Sequence, residues 1–343
     1  MKSLDEASLA GKPNRVCVIF PGALGDFICL LPALGTLLWN AEIDLFARSE
    51  FADVAPPGVA VHSMEAAEIR SLFVDDSLSA SALESFFGAF AAVYSWMGSH
   101  EPGFVKRLKT FSHYRAQVFP FRPTAAVEHQ ADYYLRCLGR TERRGAMAAI
   151  KLSAEAVAWR EGFWREHSLQ RRAVLTIAPG SGAREKNWPE DHFLDIVRWW
   201  SEHTGGAVVL LVGPVEAEKG GIDRLQAKCL VARDLRLAQV AAVLARSALY
   251  LGNDSGISHL AAAVGAATIA LFGPSDPLQW APRGERVTVL RGQIDCAPCA
   301  PGAMKTCPHR ACLTQFYPQN LIARMSRLPE VAILTRWGAG ITV

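Results

Sequence analysis

Along this chain, short and nearly continuous apolar runs alternate with longer stretches whose apolar residues recur at helical spacing. The runs read as strands at 16–20, 43–47, 59–62, 92–96 and 116–119, and again at 174–178, 207–212, 229–232, 248–251, 268–272 and 287–290. Helical stretches lie between them, among them 27–39, 129–138, 190–200, 216–227 and 237–245. Strands apolar on both faces and separated by helices predict an α/β protein with parallel sheets covered on both sides. The alternation restarts after a helical stretch at 154–166 and a polar link at 167–172. This predicts a loose tail over 1–14, a first doubly wound domain over 15–168 and a second over 169–343. Two such domains are expected to face each other across a cleft that receives the carboxyl ends of both sheets. The last helical piece, 319–326, is expected to pack back on the first domain.

Composition narrows the function classes. At 343 residues the chain has room for two cores. Half of it is apolar, a fifth is charged, and the net charge of +3 gives no reason to expect nucleic acid. No run approaches the ~18 apolar residues of a membrane span; the nearest, 86–97, is short and includes Tyr94 and Ser95. The start carries Asp5 and Glu6 and does not read as a secretory signal. Eight cysteines in a chain this long do not describe a disulfide-stapled secreted domain. Cys17, Cys29, Cys137 and Cys229 sit in apolar surroundings and read as buried thiols. A reducing cytoplasm is the expected location.

The candidate chemistry sits where strands give way to helices. In Gly252-Asn253-Asp254-Ser255-Gly256-Ile257-Ser258-His259-Leu260 a buried strand ends at small polar residues and a helix begins. Amide N–H groups and the positive end of the helix dipole would seat a phosphate there. Ser255 adds a hydroxyl, Gly256 allows close approach, and His259 lies one turn in; a plain helix cap and a satisfied histidine would explain the same residues. After the first strand, Phe20-Pro21-Gly22-Ala23-Leu24-Gly25-Asp26-Phe27 offers open backbone and an acid at a helix start, read as a general base or an N-cap. It matches neither a dinucleotide fingerprint nor a Walker loop. The second domain opens likewise with Pro179-Gly180-Ser181-Gly182-Ala183-Arg184-Glu185-Lys186-Asn187-Trp188-Pro189. Its amides, the Ser181 hydroxyl, Arg184 and above all Lys186 could neutralise a diphosphate. Glu216, after Gly213-Pro214, could bind ribose hydroxyls or simply favour a helix start.

Two further features stay open. Cys296, Cys299, Cys307 and Cys312 have a spacing that suits a structural zinc or a redox-sensitive staple, and equally a surface loop of thiols. Lys106, Arg107, Lys109, Arg115 and Arg122 lie among Phe104, Phe111, Tyr114, Phe119 and Phe121. An anionic lipid-linked acceptor or a membrane surface would suit them, as would a solvated helix face over core aromatics.

Taken together, these pieces resemble glycosyltransferase family 9, the heptosyltransferases that build the inner core of lipopolysaccharide. The carrying motifs are Gly22 to Asp26 with Leu31-Pro-Ala-Leu34, Pro179 to Gly182 with Lys186-Asn-Trp-Pro189, and Gly213 to Glu216. Asp254-Ser-Gly256 with His259-Leu-Ala-Ala262 and Leu271 to Pro277 complete the set, so the likeness runs from Arg15 to about Leu321. The resemblance implies a GT-B fold of two Rossmann-like domains, an acceptor on the N-terminal one and a nucleotide-diphosphate sugar, typically ADP-heptose, on the C-terminal one. It implies inversion at the anomeric carbon with no catalytic metal. On this sequence it makes Asp26 the base, Lys186, Ser181 and Gly182 diphosphate ligands, and Glu216 the ribose contact. Asp254, Ser255, Gly256 and His259 become the second wall around phosphates and sugar. The expected acceptor is a lipid-linked or oligosaccharide glycan, with peripheral contact at the inner face of the inner membrane. A sugar-nucleotide epimerase and a non-catalytic sugar-nucleotide-binding protein are the rival readings.

Overall fold

The computed structural model describes residues 14–74, 79–124, 127–213, 220–300 and 302–338. The expected tail falls outside these, apart from Asn14, which opens the first strand. The chain divides into two compact units. One comprises Met1–Ala23, Leu30–Ala126 and Ala131–Arg144, the other Leu24–Cys29, Val127–Gln130 and Gly145–Val343.

The first unit is built on five parallel strands: β1 (Asn14–Ile19), β2 (Ala41–Ala47), β3 (Val59–Ser63), β4 (Ala92–Ser95) and β5 (Ala116–Val118). Their order in the sheet is β3-β2-β1-β4-β5, so the direction of winding reverses between β1 and β4. The helices are α1 (Leu24–Leu37), whose opening residues belong to the other unit, α2 (Ala80–Phe87), α3 (Pro102–Phe111) and α4 (Gln130–Cys137). Ser79 starts α2 by accepting the Ala82 amide at 3.2 Å, which supplies one of the acceptors a helix start lacks. Cys17, Ile19, Phe46 and Val93 of the strands pack against Leu83 and Phe87 of α2 and Phe104 and Leu108 of α3. Much of the basic and aromatic stretch is therefore scaffold. Phe104 is core, Arg107 donates to the Leu72 carbonyl at 2.8 Å, and Arg115 to that of Gly88 at 2.6 Å. Lys106 and Lys109 stay exposed.

Six parallel strands form the second sheet: β6 (Val174–Ala178), β7 (Ala207–Val212), β8 (Leu230–Arg233), β9 (Leu249–Asn253), β10 (Thr268–Phe272) and β11 (Val287–Arg291). The order is β11-β10-β9-β6-β7-β8, with the reversal between β6 and β9. Strands β6, β7, β9 and β10 are buried at every residue, which accounts for their uninterrupted apolar runs. Helices α5 (Ala154–Glu166), α6 (Glu190–Thr204), α7 (Leu237–Arg246), α8 (Gly256–Ala263), α9 (Pro318–Met325) and α10 (Pro329–Gly338) complete the unit. Phe193, Ile196, Val197 and Trp200 of α6 fill the space over the sheet.

Two expectations about domain layout need correction. The division falls at 144–145 and not at 168–169, so α5 belongs to the second unit. It is tied there by Glu161 to Arg246 of α7 and by Arg236 to Glu155 at 2.8 Å. The Arg246 hydrogen bond pulls the Glu161 carboxyl below its ordinary range, with Arg160 adding to the lowering. The polar stretch at 167–172 is no free linker: Leu169 is buried, and Arg172 donates to the Gly206 carbonyl at 2.7 Å. The piece expected to return to the first domain is α9. Its apolar residues, Leu321 and Met325, are buried in the core of the second unit. Among the described residues no helix is long and apolar enough to cross a membrane.

Phe193 is fully buried against Trp188 with ring centroids 5.0 Å apart. Phe193→Ala should lower the stability of the second unit by about 3–5 kcal/mol, read as an earlier midpoint in urea unfolding followed by tryptophan fluorescence.

Candidate active site

The expected phosphate-binding turns leave neighbouring strands. β6 and β9 pair directly, Ala178 opposite Gly252, at the point where the second sheet reverses its winding. In open α/β sheets the crevice outside the carboxyl ends at such a point is where ligands bind, because the loops there part to opposite faces. Asn253, fully buried, spans the two exits. Its Nδ2 donates to the Pro179 carbonyl at 2.6 Å, and its Oδ1 accepts the Trp188 amide at 3.0 Å. One amide side chain thus holds both ends of the 179–188 loop to β9.

That loop carries Lys186 on a single 3-10 turn, Arg184–Lys186, and aims it back at β9. Lys186 Nζ meets Asp254 Oδ2 at 2.7 Å; the lysine side chain is 27% exposed and the aspartate 8%. Burial makes an unpartnered carboxylate costly, so each charge holds the other in place. Ser181 Oγ lies 2.6 Å from Asn187 Oδ1 and 2.7 Å from the Ala183 carbonyl, either of which can accept its one proton; this curls the loop and leaves Gly182 with open space where a Cβ would stand.

Asp254 leads into α8, and Ser255 is its N-cap, accepting the Ser258 amide at 3.4 Å. The capping role and the ligand role use different atoms: the helix start still presents its first amides outward. Within the second unit, the opening of α1 lies directly against this turn. A Cβ on Gly256 would stand 2.8 Å from Leu24 Cβ and 2.9 Å from the Gly25 amide nitrogen, and one on Gly25 would stand 3.3 Å from His259 Cδ2. Glycine at 25 and 256 is therefore a requirement of close approach. Asp26, 8% exposed, sits in the first turn of α1.

His259 joins the parts. It is buried, its Nδ1 lies 3.7 Å from Cys29 Sγ, and it makes a backbone hydrogen bond at Trp280. Burial is the largest influence and lowers its pKa below the ordinary 6.5. Asp254, Asp26 and the Trp280 bond pull the other way, and Lys186 adds to the lowering. Four expected site residues, Asp26, Lys186, Asp254 and His259, thus share one electrostatic neighbourhood.

Beside the lysine loop lies a cleft of about 510 Å³ lined by Ser181, Arg184, Asn187, Glu190 and Arg310. Arg310 was not singled out in the sequence; it donates to the Arg184 carbonyl at 3.0 Å from a left-handed backbone position. Asn253 and Cys29 were likewise passed over, since nothing local marks a strand-end amide or a core thiol as a connector. Glu216 lies outside the described residues.

The four clustered cysteines are free thiols, and among the described residues no group of three or more His, Cys, Asp or Glu side chains gathers to hold a metal. The cysteines of the expected zinc set, Cys296, Cys299, Cys307 and Cys312, nevertheless share one neighbourhood, since burial and then the other thiols push up both Cys299 and Cys312. Cys296 is exposed, whereas Cys312 is buried with Leu313 and Phe316 in the core. Burial pushes Cys312 up to about 11, with the neighbouring thiols adding to the rise, and Cys307 Sγ accepts the Arg310 amide at 3.4 Å.

Two parallel sheets of Rossmann order define an α/β protein of the GT-B class. The glycosyltransferase family 9 (heptosyltransferase) model matches residues 139–308, just under half of the chain, and over that stretch the chain is similar to that family. Lipopolysaccharide heptosyltransferase 1 of Pseudomonas aeruginosa is 30% identical over 173 residues, covering 45% of this chain and 47% of the relative. Lipopolysaccharide heptosyltransferase 2 of Escherichia coli is 29% identical, covering 35% and 36%. The chain thus spans about half or less of the length of the curated relatives it matches. Among solved structures, a family 9 glycosyl transferase from Veillonella parvula superposes with a TM-score of 0.70 at 19% identity, covering 94% of this chain and 98% of its own. The E. coli ADP-heptose lipopolysaccharide heptosyltransferase II gives 0.68 at 18%, covering 95% and 100%. These likenesses establish the fold.

The depressed pKa of His259 has a measurable consequence. Below about pH 6.5 the unfolded chain binds a proton that the folded chain refuses, so this contribution to stability is present above 6.5 and lost as pH falls through it. The melting temperature should fall between pH 7.5 and 5.5, and less steeply in His259→Asn. His192, also lowered chiefly by burial, will keep part of the slope. Gly256→Ala, whose Cβ meets backbone, should cost about 1–3 kcal/mol in the same measurement.

Proposed function

We propose that this chain is an inverting glycosyltransferase that moves a sugar, heptose from ADP-heptose, onto a hydroxyl of a lipopolysaccharide-core type glycan. The observation that carries the reading is the Lys186–Asp254 pair, at 2.7 Å, where β6 and β9 end, with Asp26 and His259 in the same electrostatic neighbourhood. The family 9 match over residues 139–308 and curated relatives named as lipopolysaccharide heptosyltransferases support it. So does an E. coli heptosyltransferase of the same fold that was solved with ADP.

In this proposal Asp26 takes the proton from the acceptor hydroxyl as its oxygen attacks the anomeric carbon. The new C–O bond forms on the face opposite the diphosphate, whose own C–O bond breaks, and the departing oxygen carries away the electron pair. One displacement inverts the centre. Lys186 exchanges the Asp254 carboxylate for the diphosphate. The amides at the start of α8 and around Ser181 and Gly182 meet the rest of the growing charge, so the scheme needs no metal. Glu216 contacts the ribose, and His259, neutral because it is buried, donates to or lines the phosphate and sugar. The acceptor arrives as a lipid-linked or oligosaccharide glycan at the inner face of the inner membrane. The protein works from the cytoplasm, with peripheral membrane contact.

Several measurements test this. ADP-heptose and ADP should raise the melting temperature more than GDP- or UDP-sugars, since a ligand of the folded state stabilises it in proportion to occupancy. Asp26→Asn should keep donor binding and lower turnover by roughly 10²–10⁴-fold. Lys186→Met should lower turnover by roughly 10²–10³-fold and weaken the donor. EDTA should leave the rate unchanged. Full turnover in Asp26→Asn would overturn the assignment of the base, and a sugar altered while still on its nucleotide, with no acceptor present, would favour an epimerase.

A further inference from the structure

A cavity in the second unit lies apart from the donor turns. It holds about 510 Å³ between the end of β11, the edge strand of the sheet, and α9. Arg291, the last residue of β11, lines it on one side, and Arg324 and Arg327 line it on the other. Arg324 is in the last turn of α9, and the Arg327 amide donates to its carbonyl at 3.1 Å, which carries the winding one step further. Asn320, Arg324 and Arg327 therefore share a face, because positions three and four apart on a helix are neighbours. Leu321 and Met325 on the adjoining face are buried in the core and fix that orientation. The chain leaving β11 can come close because residue 292 is glycine: a Cβ there would stand 2.7 Å from the Cys312 carbonyl oxygen.

Charge decides what kind of ligand. Three arginines at one cavity repel each other, and nothing inside the protein offsets this. Among the described residues none of the three makes an ion pair or a side-chain hydrogen bond, and no carboxylate lines the cavity. Elsewhere the chain pairs its arginines: Arg286, just ahead of the same strand, meets Glu330 at 2.9 Å, and Arg236 meets Glu155 at 2.8 Å. The dipole at the end of α9 favours Arg324 and Arg327, but it gives no reason for Arg291, which arrives on a strand. Gln293, Gln315 and Asn320 add amide donors to the same lining. A guanidinium offers two parallel N–H groups to a planar or tetrahedral oxyanion and keeps its charge at any working pH. One such fork is enough for a carboxylate. Three forks with three amides match a phosphate monoester, which near neutrality carries close to two charges on three acceptor oxygens. An apolar ligand would leave the arginines uncompensated.

We infer that this cavity is an anion site that takes a phosphate monoester group, held by Arg291, Arg324 and Arg327. The strand register gives its place. Arg291 stands opposite Phe272 of β10, and Leu271 stands opposite Asn253 of β9. The site is thus on the same carboxyl edge of the sheet as Asp254, two strands away, or about 10 Å at the usual strand spacing. It shares no lining residue with the cleft beside the lysine loop, and it does not depend on the transferase reading.

The test uses the full chain labelled with 15N at arginine, the three Nε–H signals being assigned by their loss in Arg291→Gln, Arg324→Gln and Arg327→Gln. Glycerol 3-phosphate should move all three along one saturation curve, while glycerol, and sodium chloride at matched ionic strength, should not. Arg291→Gln should weaken the response of the two helix arginines roughly threefold to tenfold, and Arg324→Gln that of Arg291 likewise. All three positions are exposed, so the variants should melt with the wild type. Should one of them fail to fold, the wild-type titration and the remaining variants decide. Signals that do not saturate, that follow unrelated midpoints, or that ignore Arg291→Gln overturn the inference. Vesicles of phosphatidylcholine with phosphatidate find the source of the phosphate. Co-sedimentation that is lost when all three substitutions are combined identifies a lipid headgroup; saturable glycerol 3-phosphate binding without co-sedimentation identifies a soluble ester. An RNA oligonucleotide that moves the three signals at lower concentration than either overturns the choice of a monoester. ADP keeps the two readings apart: no ADP effect on melting, with the glycerol 3-phosphate response intact, removes the transferase and leaves the anion site.

Discussion

A lysine and an aspartate that close one ion pair across two neighbouring strand exits set the terms for everything around them. Asp254 is nearly buried, and a carboxylate there is tolerable only because Lys186 sits 2.7 Å away. His259 lies beside both, with Asp26 also in range, and two carboxylates alone would invite a proton onto the imidazole. Burial lowers the pKa of the ring in spite of them, and the lysine adds a smaller push the same way. A phosphate entering the site would replace a carboxylate that already satisfies the lysine, so its gain is a difference between two anions and not the full worth of one contact.

The same layout governs each sheet. Both wind outward from a central strand, reverse once and keep their ligand-sized openings beside that reversal. In the second unit the opening is dressed with amides, hydroxyls and cations. In the first it is dressed with proline and aromatic rings. The difference lies in a few loop residues, which is where folds of this kind carry their specificity.

Much of this was legible in the primary structure. Each expected strand run coincides with a strand to within two residues, and the central strands of the second sheet, buried throughout, carry the longest apolar runs. Helices α2 and α3 were not read, since one ends inside the apolar run at 86–97 and the other hides its core face among lysines and arginines. The division between units was misplaced because 167–172 is polar in composition while Leu169 is buried. At the site, Lys186 and Asp254 stood out as strand-exit residues, but their pairing joins positions 68 apart and leaves no local trace. The cysteine spacing pointed to a ligand set, yet Cys312 is drawn into the core by Leu313 and Phe316. Arg310, within that same loop, has no pattern to announce it.

Asn253 has a consequence of its own. The side chain that ties the lysine loop to β9 is an amide, shielded from solvent and bonded to main chain at both ends. It has no proton to gain or lose between acid and alkaline conditions, and added electrolyte cannot screen it. The ionisable groups nearby can change state or partner during a catalytic cycle while the frame that spaces them keeps its dimensions. Replacing that amide with an acid of the same shape would make the frame itself titrate.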